Sequence, residues 1–405
     1  MSVDPVLTLD PSLGLVSSAT VYLPNDVGLW RTVASLANGR TRGEGFAAAV
    51  GAFDVKKRAS ITRGAGEAVE RFALMPAAAD VEHLVAPRDG TEGRIDFVSA
   101  GLGRASALAF EFPWYRATNL LTGQESYVPA PTVDYTAGGS ADRDPWSGFF
   151  DPSPNGAASG PSERFAQVSG IGEVIERDAF LSAWRRRAPL NEFVAEEMPA
   201  DVRDSQGTLA LFLLVDSARA AGVDFTLAFI PQDDSPLHVA VCIITGHAGN
   251  GQFGAVGLKA AAGPIVALRG ALQEGLQIRE LFLSRTPSAA ASPEVTDDES
   301  RADFWTTEQA LAELSSWLRS FKPARFPAFK PTPEVKDLVK YLARRDIQSH
   351  WVSLTHRLPA AIRELGWIAG KAICPGAVPL TMDETKGVLM PHGPAGLSLT
   401  PHPLI

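Results

Sequence analysis

A six-residue motif occurs twice in this sequence, as GEAVER (66–71) and as GEVIER (172–177). Both copies lie in stretches whose apolar residues recur with helical spacing. Because positions three and four apart are neighbours on a helix, each copy places two glutamates side by side and an arginine beside the first of them. Two such helices would repel each other wherever they met, unless positive charge lay between them.

Each copy taken by itself is also typical of an ordinary surface ion pair. A Glu–Arg pair four residues apart stabilises a helix by only about 0.2–0.5 kcal/mol and is common. Two copies, each preceded by a run of small residues, are harder to explain in this way. Hard divalent cations with oxygen ligands would supply the missing positive charge. The repeat therefore predicts a carboxylate-lined site for Mg²⁺ and for the phosphates that Mg²⁺ carries.

A third predicted helix, ALRGALQEGLQIREL (267–281), carries matching groups. Glu274 and Gln277 are three residues apart, and Arg279 follows them. A glutamine can bond a purine or a phosphate oxygen, and an arginine can bind phosphate through two N–H groups. Taken alone, this helix is typical of a solvated surface face.

Composition narrows the range of functions. A formal net charge of −9 over 405 residues argues against a nucleic-acid-binding surface, which needs concentrated Lys and Arg. The charge does not exclude a nucleotide, because carboxylates can hold Mg²⁺ and its phosphates. Two cysteines exclude a disulfide framework. The N-terminus carries no secretory signal pattern and no apolar run is long enough to span a membrane, so we expect a soluble, cytoplasmic protein.

Segments with helical spacing alternate along the chain with short strand-like runs. This interleaving predicts a layered α/β or α+β fold in one intertwined domain, 56–405, on which an N-terminal segment, 1–55, packs. The predicted helices are 56–74, 162–186, 207–222, 264–284, 307–320, 333–344 and 357–366; the predicted strands are 107–112, 125–130, 224–230, 237–245, 348–354 and 367–373; the predicted loops are 131–163, 286–300 and 322–334.

Four motifs together resemble the YcaO family: GEAVERF from residue 66, NGAASG (155–160), GIGEVIERDAF (170–180) and ALQEGLQIR (271–279). They cover most of the chain in the order that the family shows. The resemblance implies a domain with mixed sheets and an ATP site lined by helices, filled with Mg²⁺ and lacking a P-loop. It also implies that ATP activates a backbone amide of a ribosomally made peptide.

The resemblance also assigns residues to the site. The implied Mg²⁺ or phosphate-region ligands are Glu67, Glu70, Glu173, Glu176 and Glu274. The implied nucleotide contacts or ion-pair supports are Arg71, Arg177, Gln277 and Arg279. Which carboxylate binds the metal directly is left open.

The last residues, LTPHPLI (399–405), resemble the proline-rich tail that enters the active site of azoline-forming YcaO proteins. Pro401 and Pro403 match the P-x-P-x-P pattern, whereas Ile405 stands where a final proline is expected. Such a terminus is equally typical of a frayed end. In the functional interpretation these residues are catalytic, with His402 or the carboxylate of Ile405 as the base.

One departure lies in the second motif's helix. The family has Glu-Ala eight residues before the first glutamate of the second motif, and this sequence has Phe165-Ala166 there. Glu163 lies nearby but on another helical face. The site therefore has one carboxylate fewer than the family pattern, or it binds ATP more weakly.

The implied reaction is azoline formation in peptide-antibiotic biosynthesis. A Cys, Ser or Thr side chain of the peptide attacks the preceding amide carbonyl, the oxyanion attacks the γ-phosphate of ATP, and elimination of phosphate leaves a thiazoline or oxazoline. The resemblance implies several partners: a precursor peptide with a leader, a separate leader-binding subunit like a ubiquitin-activating enzyme, a flavin dehydrogenase, and a second copy of this chain in a homodimer.

Two alternatives remain open. Other YcaO-like enzymes form thioamides or macroamidines, with sulfide or an N-terminal amine as the nucleophile. A non-catalytic YcaO-like scaffold is the second, for which Phe165 is the supporting observation.

Overall fold

The computed structural model describes residues 3–37, 49–76, 80, 84–85, 93–135, 146, 148–249, 251–285, 294–386 and 400–405. Within these residues the chain has an α+β fold with mixed sheets, as the sequence predicts. The helices are α1 (Pro5–Thr8), α2 (Lys57–Leu74), α3 (Ala130–Val133), α4 (Glu163–Arg186), α5 (Ala200–Arg203), α6 (Gln206–Ala220), α7 (Pro264–Ser284), α8 (Asp298–Phe304), α9 (Glu308–Leu318), α10 (Val335–Ala343) and α11 (Ala360–Glu364).

The strands form three sheets. They are β1 (Val16–Tyr22), β2 (Trp30–Leu36), β3 (Ala49–Asp54), β4 (Leu84–Val85), β5 (Trp114–Asn119), β6 (Glu125–Pro129), β7 (Ala157–Gly160), β8 (Asn191–Glu192), β9 (Asp224–Ile230), β10 (His238–Ala248), β11 (Gly251–Ala261), β12 (Lys322–Pro323), β13 (His350–Ser353) and β14 (Ile368–Ile373). Their orders are β1-β2-β3, β11-β10-β9-β8-β12, and β4-β5-β13-β14-β7 with β6 paired to β5. All pairs are antiparallel except β8 with β12, which are parallel.

Helices α2, α4 and α7 connect the sheets. Helix α2 packs on the N-terminal sheet in one apolar cluster that also contains β5 and β14, and α7 packs on β10 and β11 in another. The N-terminal strands thus share a core with α2, and the division between 1–55 and 56–405 stays a prediction. No helix in the described ranges is both long enough and apolar enough to cross a membrane.

Most predicted elements are confirmed, including the helices that carry both copies of the motif. The predicted strand at 107–112 is wrong, because residues 105–109 form a 3-10 helix. Leu108 is 67% and Phe110 54% exposed, so the alternation of apolar residues there does not mark a buried face. The last predicted helix is also too long, because α11 begins only after Pro359, where the preceding residue is kept out of the helical region.

The predicted loop at 131–163 is wrong near its end, because residues 157–160 form β7. Strands β5 and β11 were not predicted either, and β1 to β3 were not indicated by periodicity. Strand β1, VSSATVY, has only one buried residue, so no apolar face repeats along it. Much of the predicted loop at 286–300 lies outside the described residues, and its last residues begin α8. Asp297 and Ser300 form a capping box there, in which each side chain accepts the backbone N–H of the other residue.

Gly156 is required by the close approach of β14. Its φ is +81°, and a Cβ atom there would collide with the carbonyl oxygen of Ala372. We predict that Gly156→Ala lowers the free energy of unfolding by about 2–5 kcal/mol, from left-handed strain plus overpacking. Gly222→Ala is the matched control, since Gly222 has φ +72° with nothing near its Cβ, and it should cost only about 1–2 kcal/mol. Equal losses in urea unfolding would contradict this interpretation.

His350 gives the fold a defined acid sensitivity. Its ring is 3% exposed, with Nδ1 bonded to Ser126 and Nε2 to Gln348, and burial lowers its pKa to about 4. The unfolded chain takes up this proton near pH 6.5 and the folded chain does not, so stability is lost as the pH falls from about 6.5 to 4. The expected loss is about 3 kcal/mol. The variant His350→Asn should show a shallower slope in urea titrations, whereas His247→Asn, at an exposed position, should keep the full slope.

Candidate functional site

The edge strand β7 brings the two copies of the motif together. Ser159 donates its hydroxyl to the carbonyl oxygen of Gly66 in α2 at 2.9 Å, while the neighbouring Ala158 packs in the cluster that contains α4. Since consecutive side chains of a strand point to opposite faces, α2 and α4 lie on opposite faces of β7. Val69 and Val174 are buried, whereas Glu67 and Glu173 stay partly exposed and Glu176 is buried against β11.

Each motif arginine pairs with the first glutamate of its own motif. Nε of Arg71 lies 2.8 Å from Oε1 of Glu67, and Nη2 of Arg177 lies 3.6 Å from Oε1 of Glu173. The glutamate side chains keep 33% and 26% of their area exposed. The pairs are therefore partly shielded yet open to a ligand that arrives from solvent.

The two motifs act on each other electrostatically. Burial raises the pKa of Glu70 well above its usual value, and Glu67 and Glu173 raise it further. Burial also raises the pKa of Glu173, against the opposing charge of Arg177. Arg71 and Arg177 do not fully compensate this concentration of carboxylates, and an added cation would.

Glu176 and Glu274 meet at the outer edge of β11. Oε2 of Glu176 accepts the N–H of Ala260, and Oε2 of Glu274 accepts the N–H of Leu258 at 2.8 Å. These amides point away from β10, the neighbouring strand on the other side, so each needs a partner outside the sheet. Burial raises the pKa of Glu274 to about 7, with Arg177 opposing.

Gln277 and Arg279 hold the N-terminal sheet in this arrangement. Arg279 makes two hydrogen bonds to the carboxylate of Asp26, at 3.1 and 2.7 Å. Gln277 donates to the carbonyl oxygen of Gly51 at 3.4 Å. Either side chain would have to release or share these partners to contact a nucleotide.

The last six residues lie in a buried groove. His402 is 1% exposed, its Nε2 lies 2.7 Å from the carbonyl oxygen of Thr381, and its Nδ1 accepts the N–H of Leu404 at 3.3 Å. Nδ1 as acceptor requires the proton to be on Nε2, and burial lowers the ring's pKa well below its usual value. Both ring nitrogens are therefore engaged, and His402 would have to give up a hydrogen bond to act as a base.

The carboxylates fit a metal that arrives with its own ligands. No three Asp, Glu, His or Cys side chains in the described ranges are grouped closely enough to hold one ion. Glu67 and Glu173 each pair with an arginine, and Glu176 and Glu274 each accept a backbone N–H. Mg²⁺ is usually bound through one or two carboxylates plus phosphates and water, so two-glutamate contacts suffice for it.

Phe165 supplies no substitute for the missing carboxylate. It is 53% exposed, and its ring lies against the backbone of Gly160. Ser162 caps α4 by accepting the N–H of Phe165. Arg164, which precedes Phe165, pairs with Glu334 on the surface.

Two residues near the site were missed in the sequence. Asp298, the first residue of α8, interacts electrostatically with Arg71 and Arg177; its only sequence signal is the D-x-x-S capping pattern at 297–300. Lys371 is 1% exposed and donates to three backbone carbonyls, two of them at Thr132 and Ser153. A lone lysine in the apolar run WIAGKAI was its signal.

A family model described as YcaO cyclodehydratase, ATP- and Mg²⁺-binding, matches residues 54–378. The chain belongs to the YcaO family. ATP and Mg²⁺ are therefore its cofactors, as the sequence predicts. The match includes both copies of the motif and α7, and it ends before the last residues of the chain.

Known proteins resemble this YcaO chain in sequence or in fold. An uncharacterized protein of Methanothermobacter thermautotrophicus is 30% identical over 177 residues, which are 43% of this chain and 42% of that protein. The YcaO structure of Methanopyrus kandleri, bound with AMPPCP and Mg²⁺, has a TM-score of 0.66 and 18% identity over 96% of this chain and 93% of that one. The E. coli microcin synthetase McbBCD complex with pro-MccB17 bound contains a chain with a TM-score of 0.57 and 15% identity over 89% and 88%. At these identities the two structures show the shared fold.

Proposed function

We propose that this YcaO chain is the ATP-consuming subunit of a cyclodehydratase that forms thiazoline or oxazoline rings in a ribosomally made precursor peptide. The observation that carries the proposal is the meeting of α2, α4 and α7 in one cluster of glutamates and arginines. Membership in the YcaO family supports the ATP-dependent step. We place the reaction in the cytoplasm, where ATP and newly made peptides are available.

The glutamates and arginines of the two motifs differ in exposure, and we assign their roles accordingly. We propose that Glu67 and Glu173, which are partly open to solvent, contact Mg²⁺. Both of them raise the pKa of Glu70, so the same cation would also stabilise the charged form of Glu70. Arg71 and Arg177 can turn from their glutamates toward phosphate oxygens when the metal neutralises the carboxylates. Bound ATP supplies the phosphoryl group that makes the amide oxygen a leaving group.

Glu176 and Glu274 have a second task, because each also fixes the edge of β11. Their hydrogen bonds to Ala260 and Leu258 hold the strand beside the cluster. We propose that they bind metal through the oxygen that the strand leaves free. Gln277 and Arg279 would contact the nucleotide only if they released or shared their hydrogen bonds to Gly51 and Asp26.

The last residues complete the proposal. Pro401 and Pro403 restrict the backbone and lower the entropy cost of keeping this segment extended. Both ring nitrogens of His402 already make hydrogen bonds, so we propose that His402 holds the conformation of this segment. We assign the role of general base to the carboxylate of Ile405. Ile405 is partly exposed at the edge of the main core.

We further propose that the chain works with partners: a leader-binding subunit like a ubiquitin-activating enzyme, a flavin dehydrogenase that aromatises the rings, and a second copy of itself. One chain of the E. coli microcin synthetase McbBCD complex shares the fold of this chain. We predict that the purified chain alone leaves a leader-bearing precursor peptide unmodified, and that adding the leader-binding subunit produces rings. Mass spectrometry would measure one water lost per ring; full ring formation by the chain alone would contradict the partner requirement.

A non-catalytic scaffold is the second candidate, and Phe165 favours it because a family carboxylate is missing there. The two candidates differ in ATP turnover with the precursor and the partner present. A scaffold would leave ATP intact, whereas the enzyme would release one phosphate per ring. Thioamide formation would be recognised by a product mass in which sulfur replaces oxygen. A macroamidine also forms with loss of one water, and it would be recognised because the N-terminal amine is consumed.

A further inference from the structure

One arginine organises the segment formed by residues 400–405, here called the tail. Arg301 in α8 has no exposed side-chain area and donates four hydrogen bonds. Nη1 donates to the carbonyl oxygen of His402 at 3.0 Å and to Oε1 of Glu384 at 2.9 Å. Nη2 donates to the carbonyl oxygens of Thr381 and Met382 at 2.7 and 3.1 Å. The guanidinium thus joins the tail to the chain segment that lines its groove.

Two indoles also bond the tail. Nε1 of Trp305 donates to the carbonyl oxygen of His402 at 3.1 Å, and Nε1 of Trp184 donates to that of Thr400 at 3.2 Å. Their rings meet edge to face with centroids 5.6 Å apart. The carbonyl oxygen of His402 therefore accepts from two buried donors, which fixes the tail beside the only histidine it contains.

Side chains of the tail itself also hold it in place. His402 bonds Thr381 through Nε2 and accepts the N–H of Leu404 at Nδ1, which makes a tight turn. Leu404 is 5% exposed and belongs to the main apolar core. The backbone of residues 400–404 is therefore determined by contacts outside the carboxylate cluster.

Helix α8 connects the contacts that hold the tail with the carboxylate cluster. Asp298 at its first turn interacts with Arg71 and Arg177 of the two motifs, and Arg301 follows three residues later on the same helix face. A shift of α8 would consequently move the tail and change the charge near the motifs together.

We propose that Arg301 and Trp305 are positioning residues that set the tail relative to the carboxylate cluster and act on ring formation rather than on nucleotide binding. This inference rests on the proposed function. Neither side chain touches the carboxylates of the motifs, so each acts through the tail that it holds.

Trp305→Phe is the sharpest test, because it removes one hydrogen bond to the tail and keeps an aromatic ring. Trp317→Phe is the matched control: Trp317 is 2% exposed, packs edge to face on Trp184, and donates its indole N–H to Ala188, outside the tail. We expect Trp305→Phe to lower kcat of ring formation by about 10–100-fold, as for residues that orient a reacting group. The affinity for Mg²⁺ with AMPPCP, measured by calorimetry, should change less than twofold in both variants.

Hydrogen exchange gives a readout that does not need activity. The peptide that contains residues 400–405 should exchange faster in Trp305→Phe than in the unmodified chain, and Trp317→Phe should leave its exchange unchanged. Arg301→Lys, which keeps the charge but cannot make four hydrogen bonds, should behave as Trp305→Phe does.

The outcomes separate the inference from the proposed function. Equal effects of the two tryptophan variants on kcat and on tail exchange would reduce Trp305 to a structural role and overturn the inference. If the unmodified chain forms no rings with its partners, the proposed function fails. Hydrogen exchange of residues 400–405 still tests the inference in that case. Faster exchange in Trp305→Phe but not in Trp317→Phe supports the role of Trp305 in holding the tail, and equal exchange in the two variants rejects it.

Discussion

Replacing Glu173 or Glu176 by Gln should lower ATP consumption by about 10²–10³-fold, the loss expected when one preorganised charge is removed from a phosphoryl-transfer site. Glutamine has nearly the shape of glutamate, and its Oε1 can still accept the N–H of Ala260 that Glu176 holds. The fold should therefore stay cooperative in urea. The measurement is phosphate release with the precursor peptide and the leader-binding subunit present.

Glu308→Gln is the control for this series. Glu308 is exposed in the first turn of α9, a helix that carries none of the glutamates assigned to the site. Its replacement should leave ATP consumption within twofold. Normal turnover in both Glu173→Gln and Glu176→Gln would remove the carboxylate cluster from ATP chemistry, whatever the fold of the variants.

Deleting Pro403 to Ile405 should abolish most ring formation while ATP binding survives. The expected loss is about 10²–10⁴-fold, the range for a positioned general base, because the base that we assign to Ile405 goes with the deletion. The glutamates on α2 and α4 stay in place, so the affinity for Mg²⁺ with AMPPCP should hold. Stability should fall by about 1.5–3 kcal/mol, since Leu404 leaves the apolar core.

Deleting Ile405 alone separates these two effects. The side chain of Leu404 then stays in the core and the hydrogen bonds at His402 remain, so the loss of stability should be smaller than in the longer deletion. Ring formation should fall as far as in the longer deletion. Full ring formation by both truncated chains would exclude the tail from the mechanism and leave the carboxylate cluster untouched.

The elements that carry the cluster are those whose apolar period is long and regular. Helices α2, α4 and α7 could be predicted within one residue of their ends, because a buried stripe repeats along each of them. The strand predicted at 107–112 failed because its apolar residues alternate without a partner strand to bury them. Strand β1 was not predicted because it has a single buried residue, so no apolar face repeats along its serine- and threonine-rich sequence.

What the sequence determined is the set of charges and the helices that carry them: two glutamates and an arginine at helical spacing, twice, with a third helix to match. Local spacing suffices for this, because residues three and four apart are neighbours in any helix. Only the tertiary structure decided which partners those charges have. The bonds of Glu176 and Glu274 to β11, of Arg279 to Asp26 and of Arg301 to the tail join residues far apart in the chain, and no local pattern encodes such contacts.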